Sequence, residues 1–146
     1  MNLFNHTLAT IFFEPRFKIL RYGQFVVAIG VFAYMALSPA PPDVAPSFSD
    51  KALHFIGNIL LISSAWVALF GRASKRKALF IAVLYSLLIE FAQHFSPVRQ
   101  ADFLDATANL LGITFGLALC FFMDFYLSQI KKQAPRHASA NTETSD

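Results

Sequence analysis

The chain has 146 residues, enough for one domain. Apolar residues make up 55%, charged residues only 14%, and 17 residues are phenylalanine, which excludes an ordinary soluble globule and points to a membrane protein. The net charge of +3 comes from basic residues in short loops beside apolar runs, so it sets orientation in a membrane and implies no nucleic-acid partner; the single cysteine, Cys120, leaves neither an internal disulfide nor a thiolate metal site.

In chain order, residues 1–18 read as a cytoplasmic or interfacial segment, with Leu3, Phe4, Leu8, Ile11, Phe12 and Phe13 suited to lie along the inner membrane surface before Pro15. A first span covers about Ile19–Leu37 and ends in Ser38-Pro39-Ala40-Pro41-Pro42. Its basic flank and Ala36/Ala40 also suit a signal peptide, but the long preceding stretch and the crowded prolines favour a retained span. The second span runs Ala52–Phe70, the third Ala78–Phe95 and the fourth about Phe103–Leu127. Each reaches or exceeds the roughly 17–25 residues that cross about 30 Å of hydrocarbon. Residues 19–127 thus form one membrane domain, and 128–146 a polar, disordered cytoplasmic tail. The fold class is all-α: a polytopic membrane protein built as a four-transmembrane-helix bundle. Of the 12 Lys and Arg, all but Lys51 and Arg99 flank the spans on one side, which places both termini in the cytoplasm.

That topology gathers polar residues from three stretches at the outer face: Asp50, Lys51 and His54 at the start of span two; Glu90, Gln93 and His94 at the end of span three; Arg99 and Asp102 in the following loop; and Asp105 and Asn109 at the start of span four. At about 100° per residue, Lys51, His54 and Asn58 share an arc of roughly 60°, as do Ser86, Glu90 and Gln93. Asp102, Asp105, Asn109, Gly112 and Gly116 share roughly 80°. Gly112-Ile-Thr-Phe-Gly116 is a small-xxx-small motif, so Gly112 and Gly116 are expected to pack against a neighbouring helix. Glu90 lies roughly 7 Å inside the interface at 1.5 Å per residue. A charge there is costly unless paired or hydrated, and His54, Lys51 and Arg99 are the available cations.

The order and spacing of Asp50-Lys51-x-x-His54-Phe55, Glu90-x-x-Gln93-x-Phe95-x-Pro97-x-Arg99 and Asp102-x-x-Asp105-x-x-x-Asn109-x-x-Gly112 resemble the VanZ-like family of small bacterial membrane proteins. The resemblance runs from about Asp50 to Gly116, and span one fits the family's four-helix layout. Asn58 departs from it, standing where many members carry an aromatic, and Asp102 stands where a small hydroxyl residue is more usual. The resemblance implies a multi-pass protein of the bacterial cytoplasmic (inner) membrane, linked to reduced susceptibility to teicoplanin-type glycopeptide antibiotics. It implies no settled biochemical activity.

Some of these residues have plain structural readings. Asp50 and Asp102 suit helix caps, Asp105 suits a first helical turn, and Gln93 and Asn109 suit interhelical hydrogen bonds. The functional reading is a binding pocket formed by Asp50, Lys51, His54, Glu90, Gln93, Arg99, Asp102, Asp105 and Asn109 for an envelope lipid head group or an amphiphile. Its expected partners are membrane lipids, a lipid-linked envelope precursor or a lipophilic glycopeptide, and a homodimer fits so small a bundle. No cofactor is expected. The alternatives are a membrane enzyme at the same pocket, with His54, Glu90 and Asp105 as candidate catalytic groups, and a proton-coupled transporter. A divalent ion on those three residues belongs to the enzyme reading, although no metal-site signature is present.

Overall fold

The computed structural model describes residues 3–37, 50–71, 75–95 and 103–133. Five helices account for nearly all of them: α1 (Leu3–Phe13), α2 (Lys18–Leu37), α3 (Asp50–Leu69), α4 (Lys75–His94) and α5 (Phe103–Gln133). No strand occurs among the described residues. Pro15 separates α1 from α2. Its ring disfavours helical geometry in the preceding residue, and Glu14 is accordingly extended at φ −82°, ψ 131° before a short 3₁₀ turn over Pro15–Phe17. Beyond α3, Gly71 takes φ 75°, a left-handed conformation that suits glycine at a helix end.

Hydrogen bonds give the helix register. Tyr85 Oη donates to the Ile29 carbonyl at 2.8 Å and Gln93 Nε2 to the Ala36 carbonyl at 2.9 Å, with sequence separations of 56 and 57. Helices α2 and α4 therefore run parallel. Asn109 reaches Glu90 near one end of α4, and Asp124 is ion-paired with Lys75 at the other, so α4 and α5 are antiparallel. Gln24 of α2 donates at 3.0 Å to the carbonyl of Ser64 in α3, near the opposite end of that helix from His54. The result is an up-down-up-down bundle in which α3 packs on α2, α4 and α5. Leu61, Ile62 and Ala65 of α3 are fully buried in the core.

The α3–α5 contact is the closest in the bundle. A Cβ added at Gly112 would lie 2.3 Å from the Phe55 carbonyl oxygen, and one at Gly116 would lie 2.4 Å from Ile62 Cγ2 and 3.1 Å from Ile59 Cα. Only glycine allows the two backbones to approach this far.

Four helices, α2 to α5, are long and apolar enough to cross a membrane. Their outward faces carry exposed Val26, Val27, Phe80, Leu88, Leu110 and Phe122, among others, as a lipid-facing surface requires. The all-α, four-span architecture read from the sequence is the one found. Two features depart from the expected spans. Helix α5 continues past Leu127 to Gln133, because Leu127 and Ile130 are buried in the core. In addition, α1 is a helix packed at the end of the bundle. Phe12 stacks on Trp66 and Phe70 at ring-centroid distances of 5.8 and 4.9 Å, and Tyr126 Oη donates to Asn5 Oδ1 at 2.9 Å.

Candidate functional site

At the end of the bundle opposite Trp66, three helices each turn a polar stripe inward. One helical face of α3 carries Lys51, His54 and Asn58, one of α4 carries Ser86, Glu90 and Gln93, and one of α5 carries Asp105, Asn109 and Gly112. His54, Asn58, Ser86, Gln93, Asp105 and Asn109 are buried, and Glu90 is half-buried. Lys51 stands at the rim, exposed.

Asn109 joins the stripes. Its Oδ1 accepts from Asn58 Nδ2 at 2.6 Å and lies 3.0 Å from His54 Nδ1, while its Nδ2 donates to Glu90 Oε1 at 2.7 Å. Asn58 Nδ2 also reaches the His54 carbonyl at 2.9 Å, and Asn58 Oδ1 accepts from Ser86 Oγ. The chain of bonds thus runs Glu90–Asn109–His54, with an Asn109–Asn58–Ser86 branch. It connects all three helices in an apolar surround, where an unsatisfied amide would be expensive.

The network sets the His54 tautomer. A carboxylate accepts, so the Asn109 amide group must point its NH₂ at Glu90 and its oxygen at His54. His54 Nδ1 must then be the protonated nitrogen. In the neutral ring this leaves a lone pair on Nε2, pointing away from Asn109. That atom is buried and has no hydrogen-bond partner among the described residues. The same is true of Gln93 Oε1, since Gln93 donates its NH₂ to Ala36, and of Asp105 Oδ1, which lies 4.0 Å from Lys51 Nζ at the outer limit of an ion pair. All three are acceptors at one end of the molecule. Each buried polar atom left this way costs about 1–3 kcal/mol.

Of the residues expected from the sequence, His54, Glu90 and Asn109 join one network, Lys51 and Asp105 approach each other at the same end, and Gln93 turns to the Ala36 carbonyl of α2. Asp50 opens α3, but its side chain lies outside the described structure, as do Arg99 and Asp102 altogether. His94 is exposed. His54, Glu90 and Asp105 do not converge as a metal-ligating set, and no group of three His, Cys, Asp or Glu does so among the described residues.

Asn58 and Ser86 lay on the predicted stripes but were not among the site residues, although both are members of the network. Their signal was the arc itself, since a polar residue two turns down the stripe faces the same neighbour. At the opposite end, Arg21 reads from sequence as a basic flank. It is in fact buried within α2 and donates to the Phe12 carbonyl and, at 3.4 Å, to that of Ile11, satisfying the last turn of α1, while its own buried Nε has no hydrogen-bond partner among the described residues. Asp124, the acid in the other half of the bundle, is paired with Lys75.

Comparison with known proteins adds one match. The sequence profile described as VanZ/LLP1 matches residues 2–124, a stretch that contains the whole cluster. No curated protein and no solved structure matches the chain.

Proposed function

Because the chain belongs to the VanZ/LLP1 family, we propose that it is a bacterial inner-membrane protein whose polar end faces outward and binds the head group of an envelope lipid or a related amphiphile. One observation supports this reading: among the described residues, three buried acceptors at the same end of the bundle, His54 Nε2, Gln93 Oε1 and Asp105 Oδ1, lack hydrogen-bond partners. Such a set suits the hydroxyls of a sugar or glycerol, or an amine. Lys51 at the rim and Arg99 in the α4–α5 loop supply positive charge for a phosphate or carboxylate, which a guanidinium grips bidentately. Asn109, committed to its own helices, holds the cluster in shape.

The basic flanks support that orientation, since in the sequence all Lys and Arg but Lys51 and Arg99 flank the other ends of the spans. Binding a lipid-linked precursor or a lipophilic glycopeptide at this site would alter the drug's access to its target, which is how a role in glycopeptide resistance would arise.

Lipids that co-purify with the wild type and with Arg99→Ala, identified by mass spectrometry, test the reading. A phosphorylated or glycosylated lipid enriched in the wild type and lost from Arg99→Ala is the expected result. Identical lipid profiles would sink the head-group assignment.

The Glu90–Asn109–His54 chain gives a second reading some weight. A carboxylate linked through an amide to one imidazole nitrogen leaves the other nitrogen as a positioned base. In that case Glu90→Gln abolishes turnover of the bound lipid while the lipid still co-purifies. Unchanged lipid recovered after incubation with the wild type removes this reading.

A further inference from the structure

His54 Nε2, which has no hydrogen-bond partner among the described residues, belongs to a ring that stands beside Phe32 of α2. The His54 ring lines a cavity of ≈ 10 Å³ with Phe32, Met35, Ala36 and Leu53, and the Phe32 ring stands edge-on to it at 6.4 Å between centroids. That volume is about the minimum for one water-sized group, such as a hydroxyl. Phe32, Met35 and Leu53 also line a larger space of ≈ 250 Å³ that continues along the α2–α3 seam past Val31, Ile56 and Leu60. Every residue along this seam is apolar or glycine. The space is below the roughly 300–1,000 Å³ that holds a whole drug-sized ligand, so it fits a segment of one chain.

Together, an apolar groove on the lipid-facing side and the acceptor of His54, a residue only 1% exposed, in the adjoining cavity describe a specific occupant. The tautomer argument fixes the sign: His54 Nδ1 already donates to Asn109, so Nε2 of the neutral ring can only accept. We propose that the α2–α3 groove holds the apolar chain of an amphiphile whose hydroxyl or N–H group donates a hydrogen bond to His54 Nε2. The inference rests on the head-group reading of the polar end and names the chain site and the polarity of the bond. The occupant's chain descends beside Ile56 and Leu60, while any charged part stays at the rim with Lys51.

The test uses full-length protein with His6, His94 and His137 changed to Gln, labelled with ¹⁵N-histidine and placed in phosphatidylcholine nanodiscs. Phosphatidylcholine has no hydrogen-bond donor, so it provides the blank. Hexadecan-1-ol is expected to produce a saturable shift of the His54 Nε2 resonance. Hexadecyl methyl ether, with the same chain but no donor, should bind about tenfold more weakly, which is the effect of one unmade hydrogen bond. Leu60→Trp and Val31→Trp fill the groove from its exposed side and should abolish the saturable shift. A folded groove-filling variant that keeps the shift, equal responses to alcohol and ether, or an Nε2 already hydrogen-bonded and indifferent to the alcohol (a resident water only) would each overturn the proposal. Arg99→Ala separates it from the head-group reading. A shift that survives in Arg99→Ala, together with lipid profiles identical to wild type, keeps the groove and removes the head-group assignment. Loss of the co-purifying phosphorylated lipid with no alcohol response in the wild type does the reverse.

Discussion

At the Trp66 end of the bundle, Phe12, Trp66 and Phe70 fill the space between helices with aromatic rings, and Arg21 satisfies the carbonyls that close α1. At the His54 end, side-chain amides, an imidazole and a carboxylate do the joining, and three acceptors have no hydrogen-bond partner among the described residues. Both ends are buried, yet they are finished differently. Ring packing is non-directional and tolerates small shifts, with each pair contributing about 0.5–1.5 kcal/mol. A hydrogen-bond network in hydrocarbon is directional, and it leaves defined lone pairs where the next group should go. On the binding proposed above, the first end serves as a lid and the second as a socket.

Substitutions can break this contrast or sharpen it. Gly112→Leu should have the largest effect. It lies on the polar stripe of α5 at the His54 end, where even a Cβ would sit 2.3 Å from the Phe55 carbonyl, so overpacking should cost about 3 kcal/mol or more. The variant should aggregate or lose its thermal transition in detergent-based size-exclusion measurements, whereas Gly30→Ala, with nothing within 4 Å, should behave as wild type. If Gly112→Leu is as stable as wild type, the closeness of α3 and α5 is not what holds the polar stripes together.

Next comes Asn109→Leu, which keeps the volume and removes the joint of the network. Three partners, Glu90, His54 and Asn58, each lose a bond. Membrane hydrogen bonds average about 0.6 kcal/mol each, so roughly 2 kcal/mol of destabilisation is expected by thermal melting, with a loss of head-group binding beyond what instability explains. Wild-type stability together with unimpaired lipid recovery would mean the cluster is ornamental.

Arg21→Met should be the mildest. Loss of its bonds to the α1 carbonyls should release α1 and make the chain near Glu14 sensitive to limited proteolysis, with a stability change of about 1–2 kcal/mol. Head-group binding at the far end should be unaltered. If lipid recovery falls as much as in Asn109→Leu, the two ends are coupled and the lid-and-socket division fails.

Much of this architecture was legible in the sequence. The apolar runs located the four spans, and the 100° periodicity placed Lys51, His54 and Asn58 on one stripe and Ser86, Glu90 and Gln93 on another. Periodicity reports a face and says nothing about its neighbour. It could not show that Asn109 would take two bonds on one oxygen, or that Asn58, which looked like a family departure, would tie His54 to Ser86. Arg21 was misplaced for a related reason. Counting basic residues near a span gives orientation, whereas its burial depends on α1 folding back over the end of the bundle. Helix α5 outruns its expected span because Leu127 and Ile130 join the core, a burial the apolar run alone does not report.

The long reach of the network also shapes how the protein is made. His54 and Asn109 are 55 residues apart, and α3 enters the membrane well before α5 has been synthesised. Until then, His54 and Asn58 lack the amide that satisfies them, and α3 carries uncovered polar groups among lipid tails. A nascent chain halted after α4 would therefore be a natural client for insertion chaperones and membrane proteases. Completion of α5 is the step that takes α3 off their list.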